Sequence, residues 1–255
     1  MKNSKVIIIF ILSLAFSQFR EIPDIVTKVG SAAAPWLRLE TGIRAVGMAG
    51  SQTASGRGVS AVTYNPAALG YIDNMETVFN KTNYLAGISH NIIGFATKIT
   101  PTDVIGFHAF YLDSGDMIRR TIEDHNAGYF RVYNVALRAT YAKIFTDRLK
   151  FGISLKYIRE DIWTTYMQTF ALDIGSNFDT GMYGFILGMS VSNFGPDVKF
   201  KGPGLASESV ELEGKTEFFP LPLMFRLGLE NEIIGPKEHS ILNSQIHRLT
   251  FAVDG

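Results

Sequence analysis

Tyr133-Asn134-Val135-Ala136-Leu137-Arg138-Ala139-Thr140-Tyr141 alternates between two kinds of side chain with a period of two. Successive residues of an extended chain point to opposite faces. Tyr133, Val135, Leu137, Ala139 and Tyr141 therefore share one face, and Asn134, Ala136, Arg138 and Thr140 share the other. The two tyrosines bracket the apolar face. Eight residue steps at ~3.3 Å with a tilt of ~40° carry the chain roughly 20 Å, close to the separation of the two aromatic girdles of an outer-membrane barrel.

The same alternation recurs along the chain. Phe151, Ile153, Leu155 and Tyr157 enclose Gly152, Ser154 and Lys156. Phe170, Leu172 and Ile174 alternate with Ala171, Asp173 and Gly175, and Phe185, Leu187, Met189 and Val191 with Gly188, Ser190 and Ser192. Leu223, Phe225, Leu227 and Leu229 face away from Arg226, Gly228 and Glu230. Leu249, Phe251 and Val253 stand opposite Thr250, Ala252 and Asp254. Nine runs are read as strands, near 76–84, 90–100, 104–112, 129–145, 150–159, 165–178, 182–194, 221–231 and 248–254. Thr100-Pro101-Thr102-Asp103, Thr146-Asp147-Arg148 and Asp179-Thr180-Gly181 are tight turns built from turn-forming residues. Longer links lie near 113–128 and 195–220, and short turns on one side with long loops on the other is the asymmetry of an outer-membrane barrel. The link from 232 to 247 breaks that rule and is read as an insertion.

A soluble barrel or β-sandwich shows the same alternation with its apolar face inward. Here several runs exceed the ~5–6 residues usual for soluble strands and reach the ~9–11 that cross a bilayer at a tilt. The opposite face is small and charged, which suits a crowded or wet lumen. The expected fold is all-β: an antiparallel transmembrane β-barrel over residues 76–255.

Ahead of the strands lies GIRAVGMAGSQTASGRGVSAVTYNPAALG, residues 42–70, rich in Gly, Ala and Ser. Residues this small let backbone pack closely in a confined space. Asn65 before Pro66 predicts a helix N-cap with proline at the first helical position, and so a short helix near 65–70. Arg44 to Gly50, followed by Val59 to Leu69, resembles the opening signature of the PorV/PorQ family of outer-membrane proteins. The resemblance implies a FadL-like barrel of fourteen strands with its N-terminal segment inside the lumen. It assigns Gly47, Gly50, Ser60, Asn65, Pro66 and Ala67 to the family signature and the plug. The chain departs from the family where acidic residues usually precede Val-Ser-Ala: it has Gly56-Arg57-Gly58, which puts contacts made by those acids in doubt.

Residues 1–17 read as a secretory signal. Lys2 and Lys5 precede the apolar run Val6 to Phe16, and Ala15-Phe16-Ser17 offers small residues for cleavage. The run is too short to span a bilayer as a helix. Its removal takes two of the 24 Lys and Arg, leaving 22 against 24 acidic residues. Residues 18–75 are the lead-in and plug, with Pro23, Pro35 and Ser31-Ala32-Ala33-Ala34. Balanced charge argues against a nucleic-acid partner held by electrostatics. The absence of Cys removes disulfides, thiolate metal sites, a cysteine nucleophile and a lipoprotein anchor. Single-chain bacterial barrels have an even strand number, so nine runs with the last barely begun predict a C-terminally truncated, incomplete barrel. Its open edges would be costly in lipid.

No enzyme is predicted. Gly56-Arg57-Gly58-Val59-Ser60-Ala61 imitates a dinucleotide fingerprint, but no strand precedes it and no βαβ unit contains it. His90, His108, His125, His239 and His247 show no metal-ligand spacing and are read as surface or lumenal polar residues. GxSxG is absent, although a serine hydrolase could use other serines. No cofactor is expected. Charges on the small face are Lys98, Arg138, Lys156 and Arg226, with Asp173, Glu230 and Asp254. They read as a lumenal ion-pair network holding the plug, because buried charges need partners, or as the lining of a solute path. The resemblance implies an outer-membrane protein of type IX secretion. Its partners would be membrane lipid, the C-terminal domains of exported cargo and other secretion-system components, with recognition in the long loops. The competing function is a FadL-like transporter of hydrophobic small molecules, which needs a strand interruption and an apolar pocket near the plug.

Overall fold

Nine strands follow one another as antiparallel neighbours in a single sheet. The structure is a computed structural model and describes residues 32–120, 122–203, 216–236 and 241–255. The leader 1–17 and the lead-in through residue 31 lie outside the described residues. From Ala33 onward the chain forms one unit. Its strands are β1 (Met75–Asn83), β2 (Ser89–Lys98), β3 (Asp103–Asp113), β4 (Val132–Ile144) and β5 (Leu149–Ile162). They continue as β6 (Thr165–Asp179), β7 (Phe185–Phe194), β8 (Met224–Gly235) and β9 (Leu249–Asp254). A two-residue strand, Leu242–Asn243, runs parallel to the end of β8. Among the described residues the sheet is not closed: β1 pairs only with β2, and β9 only with β8. The structure thus shows the antiparallel β class without a closed barrel.

Each alternating run coincides with a strand, and the differences lie at the ends. The run 129–145 is split at Arg131, whose guanidinium turns to Asp116 and Asp113 while Tyr129–Phe130 pairs with Met117–Ile118. β7 starts at Phe185, three residues late, because Gly181, Tyr183 and Gly184 adopt positive φ in the preceding turn. β8 starts after Pro220 and Pro222, which cannot donate to a ladder, and runs on to Gly235. The loop asymmetry is weaker than the spacing implied. On the side of the long links 114–131 and 195–223, two connections are short: 84–88 and the two-residue turn Trp163-Thr164.

Faces are distributed as the alternation requires. In β4, Asn134, Ala136, Arg138, Thr140 and Ala142 are buried, whereas Tyr133, Leu137 and Tyr141 are exposed. In β5, Phe151 and Leu155 face outward and Lys156 is 1% exposed. What buries the small and polar face is the N-terminal segment. Pro66–Tyr71 forms a 3-10 helix, preceded by one at Val59–Ala61 and by the helical turn Ile43–Gly47. Asn65 is the cap: its Oδ1 accepts from Ala67 N at 3.0 Å, and Pro66 loses no hydrogen bond at N1. The Asn65 amide also ties the plug to the sheet, donating to Thr53 O (2.8 Å), to Ser176 O on β6 (3.0 Å) and to Asn177 Oδ1.

Close approach of the plug is possible because the strands are bare beneath it. A Cβ on Gly152 would lie 2.3 Å from Pro66 C, one on Gly188 2.3 Å from Thr53 O, and one on Gly175 2.0 Å from Asn65 Oδ1. Two apolar clusters flank this seat. Val59, Val62, Leu69 and Ile72 of the plug pack on Ala96, Val104 and Ala142 near the tight turns. At the other end Ala33, Ala34 and Trp36 pack with Ile92, Phe110, Ile158, Met167, Val198 and Leu221. Trp36 stacks on Phe110 at 5.6 Å between ring centroids, and Glu160 accepts from Ala34 N (3.0 Å) and Trp36 Nε1 (3.2 Å). Each large buried apolar side chain contributes about 1.5–3 kcal/mol. The plug is therefore part of the core and not a tail laid on it.

Gly152→Val is expected to lose about 1–3 kcal/mol or more, because the new side chain meets backbone that cannot turn aside. Gly47→Ala, with nothing within 4 Å of the added carbon, is expected to change stability by less than about 0.5 kcal/mol. Denaturant unfolding of the two variants checks this, and equal midpoints would refute the seating of the plug on bare strand.

Candidate functional site

Between the two apolar clusters the strands place a belt of polar side chains beneath the plug. On β3, His108 lies between Phe110 and Val104; on β4, Arg138 and Thr140 lie between Ala136 and Ala142; on β5, Lys156 follows Ser154. The ladder brings these positions into line, since His108 is paired with Arg138, and Arg138 with Lys156. Asp173 of β6 completes the row. It accepts from Arg138 Nε at 3.1 Å and from Lys156 Nζ at 2.8 and 3.0 Å. Its Oδ1 takes a further bond from Asn193 N at 2.8 Å. These ionic side chains are at most 5% exposed.

Asn193 owes its place to a bulge. The register of β6 and β7 shifts between Leu172 and Ile174, and Asn193 takes φ 63. Asparagine tolerates that left-handed conformation better than most residues. The bend lets Asn193 accept from Lys156 through its Oδ1 and donate to Pro222 O at 2.9 Å. Arg138 Nη1 meets His108 Nδ1 at 3.1 Å, while Thr140 and Ser154 share a hydroxyl bond of 2.8 Å.

Of the predicted charges, Arg138, Lys156 and Asp173 form one network. Glu230 does not join it. Glu230 pairs instead with Arg57, in the Gly-Arg-Gly stretch 56–58. Arg57 also donates to Ala54 O (2.5 Å) and Gly56 O (2.8 Å) and lies 4.0 Å above the Tyr71 ring. Asp254 accepts from Thr53 N at 2.7 Å. Arg226 faces the plug 5.6 Å from the Tyr64 ring centroid and forms no ion pair among the described residues. Lys98 is half-buried at the end of β2, four residues beyond Gly94, and is not brought to the network.

The signature residues divide likewise. Asn65, Pro66 and Ala67 are fully buried at the heart of the plug, and Ser60 is half-buried. Gly50 takes φ 82 beside the Glu40 carboxylate, whereas Gly47 is exposed and a Cβ added to it would meet nothing within 4 Å. Tyr64 donates to Glu40, and burial followed by that bond raises its hydroxyl's pKa, so it stays a neutral donor. Sequence reasoning missed Asn193 as a partner of the belt, and Arg57, Glu160 and Tyr64 as residues that anchor the plug and its lead-in. His108 alone carried a signal, being the histidine set within an alternating run. Among the described residues no group of three His, Asp or Glu side chains is placed to hold a metal ion. The chain matches no protein-family model and no curated protein.

Asp173→Asn leaves Arg138 and Lys156 buried without their counter-charge and is expected to cost about 3–5 kcal/mol. Adding Lys156→Met should recover part of that loss, because the two sites are directly coupled. Urea or guanidinium unfolding of the single and double variants measures it. A double variant as unstable as the sum of the singles would exclude the network.

Proposed function

We propose that this chain is the wall and plug of an outer-membrane β-barrel of the PorV/PorQ type, which binds or shuttles exported cargo proteins in type IX secretion. The observation that carries the membrane reading is the inverted polarity of the sheet. Phe170, Phe225 and Leu155 are 59, 68 and 52% exposed, while Lys156 and Asp173 are 1% exposed. A soluble protein gains stability by the opposite arrangement; a face of this kind across a whole sheet is at home against hydrocarbon. Among the described residues no helix is long and apolar enough to cross a membrane, so strands would do the crossing.

The packed plug favours a binding role over conduction. The FadL-like alternative, uptake of a hydrophobic small molecule, needs an apolar pocket beside the plug. A cleft of about 210 Å³ between Gly42–Ala45 and strands β1 and β2, lined by Ile43, Val78, Phe79 and Ile92, is the feature that speaks for it. It falls short of the roughly 300–1,000 Å³ of ligand pockets. Recognition of cargo is assigned to the links 114–131 and 195–223, of which 121 and 204–215 lie outside the described residues.

Phe170→Lys puts a charge on the outward face and is expected to cost about 2–4 kcal/mol at mid-membrane depth, lowering recovery in the outer-membrane fraction. An exposed control, Glu123→Gln, should leave recovery unchanged. Recovery of the parent and the Phe170 variant in the soluble fraction would end the membrane reading. Retention of a cargo C-terminal domain in a pull-down is expected; co-purification of a lipophilic ligand with no cargo retained would favour the transporter.

A further inference from the structure

Arg226 presents a problem of charge that the belt does not solve. Its Nη1 is buried and has no hydrogen-bond partner among the described residues. Its cross-strand neighbour on β7 is Ser190, followed two residues on by Ser192; both hydroxyls are likewise buried and unpartnered. Directly opposed residues on one face of a sheet lie within side-chain reach of each other. A cavity of about 20 Å³ is lined by both Arg226 and Arg138, by Thr41 and Tyr64 of the plug, and by the apolar Trp36 and Phe110. Arg138 and Lys156 share the single carboxylate of Asp173, and the charge of Glu230 is taken by Arg57. With Arg226 beside it, the belt therefore sets three cations against one carboxylate.

We propose that the belt binds one small inorganic anion of halide size, held between the guanidinium groups of Arg226 and Arg138 under the plug. Arg226 is half-buried, but a guanidinium nitrogen shut away from water needs a partner, and guanidinium and hydroxyl groups supply donors to an anion. The cavity decides the size. It exceeds the roughly 10–15 Å³ required by one water-sized particle and has no room for a phosphate or for a carboxylate with a chain. The site rests on the packing of plug against sheet and does not depend on the membrane reading.

Trp36 lines the cavity and is 7% exposed, which makes it a built-in reporter. The only other tryptophan, Trp163, is exposed on a turn and can be removed as Trp163→Phe. In that background sodium bromide, titrated against sodium gluconate at constant ionic strength, is expected to quench Trp36 along a saturating curve. Excess chloride, which displaces bromide without quenching, should restore the emission. Arg226→Gln should weaken the half-saturation at least about tenfold, the loss of one charged hydrogen bond. Arg226→Lys should retain saturation. Should Arg226→Gln not fold, the reversal by chloride in the Trp163→Phe background decides alone. Quenching that rises linearly with bromide and ignores chloride would show water only in the cavity and overturn the proposal.

Discussion

A carboxylate on β6 has to hold two cations in a place almost without water, and much of the structure is arranged to let it. Asp173 is reached by Arg138 from β4 and Lys156 from β5, and receives a backbone N–H from the bulge at Asn193. Desolvating such groups costs several kcal/mol each unless every charge finds a partner. The belt consequently tolerates little displacement of its strands. The plug covers it, leaving a cavity of about 20 Å³ beside Arg138 and Arg226.

The plug can do so only because the sheet gives way to it. Gly152, Gly175 and Gly188 leave backbone-deep room for Pro66, Asn65 and Thr53. Asn65 occupies the centre of that fit, capping its own helical turn while spending its amide protons on Thr53, Ser176 and Asn177. Apolar clusters at either end of the belt hold the two parts together, so polar satisfaction and apolar burial act on the same contact. With most of the inner face consumed in this way, many of the remaining large aromatic and aliphatic strand residues stand on the outer face, so the polarity of the sheet follows from the plug as much as from the strands.

Much of this was legible from residue types. Period-two alternation located all nine long strands among the described residues, because pleating sends neighbours to opposite faces whatever lies beyond them. It did not locate the two-residue strands Met117–Ile118 and Leu242–Asn243. The ends were less legible: Arg131 broke a run by pairing with Asp116 in its own loop, and positive φ at Gly181 and Gly184 delayed β7. Face assignment correctly set Lys98, Arg138, Lys156, Arg226 and Glu230 on one side. It could not say which of them would meet.

Sequence alone thus determined the β class, the two faces of each strand and the capped turn at Asn65-Pro66, all of which depend on residues within a few positions of one another. Tertiary structure alone decided that Arg57 finds Glu230 across 173 residues, that Arg138 finds Asp173 across 35, and that Lys98 and Arg226 are left out. Periodicity specifies the face toward which a side chain points. Register, a bulge and the depth at which the plug settles specify the neighbour it finds there, and those are properties of strands brought together from distant parts of the chain.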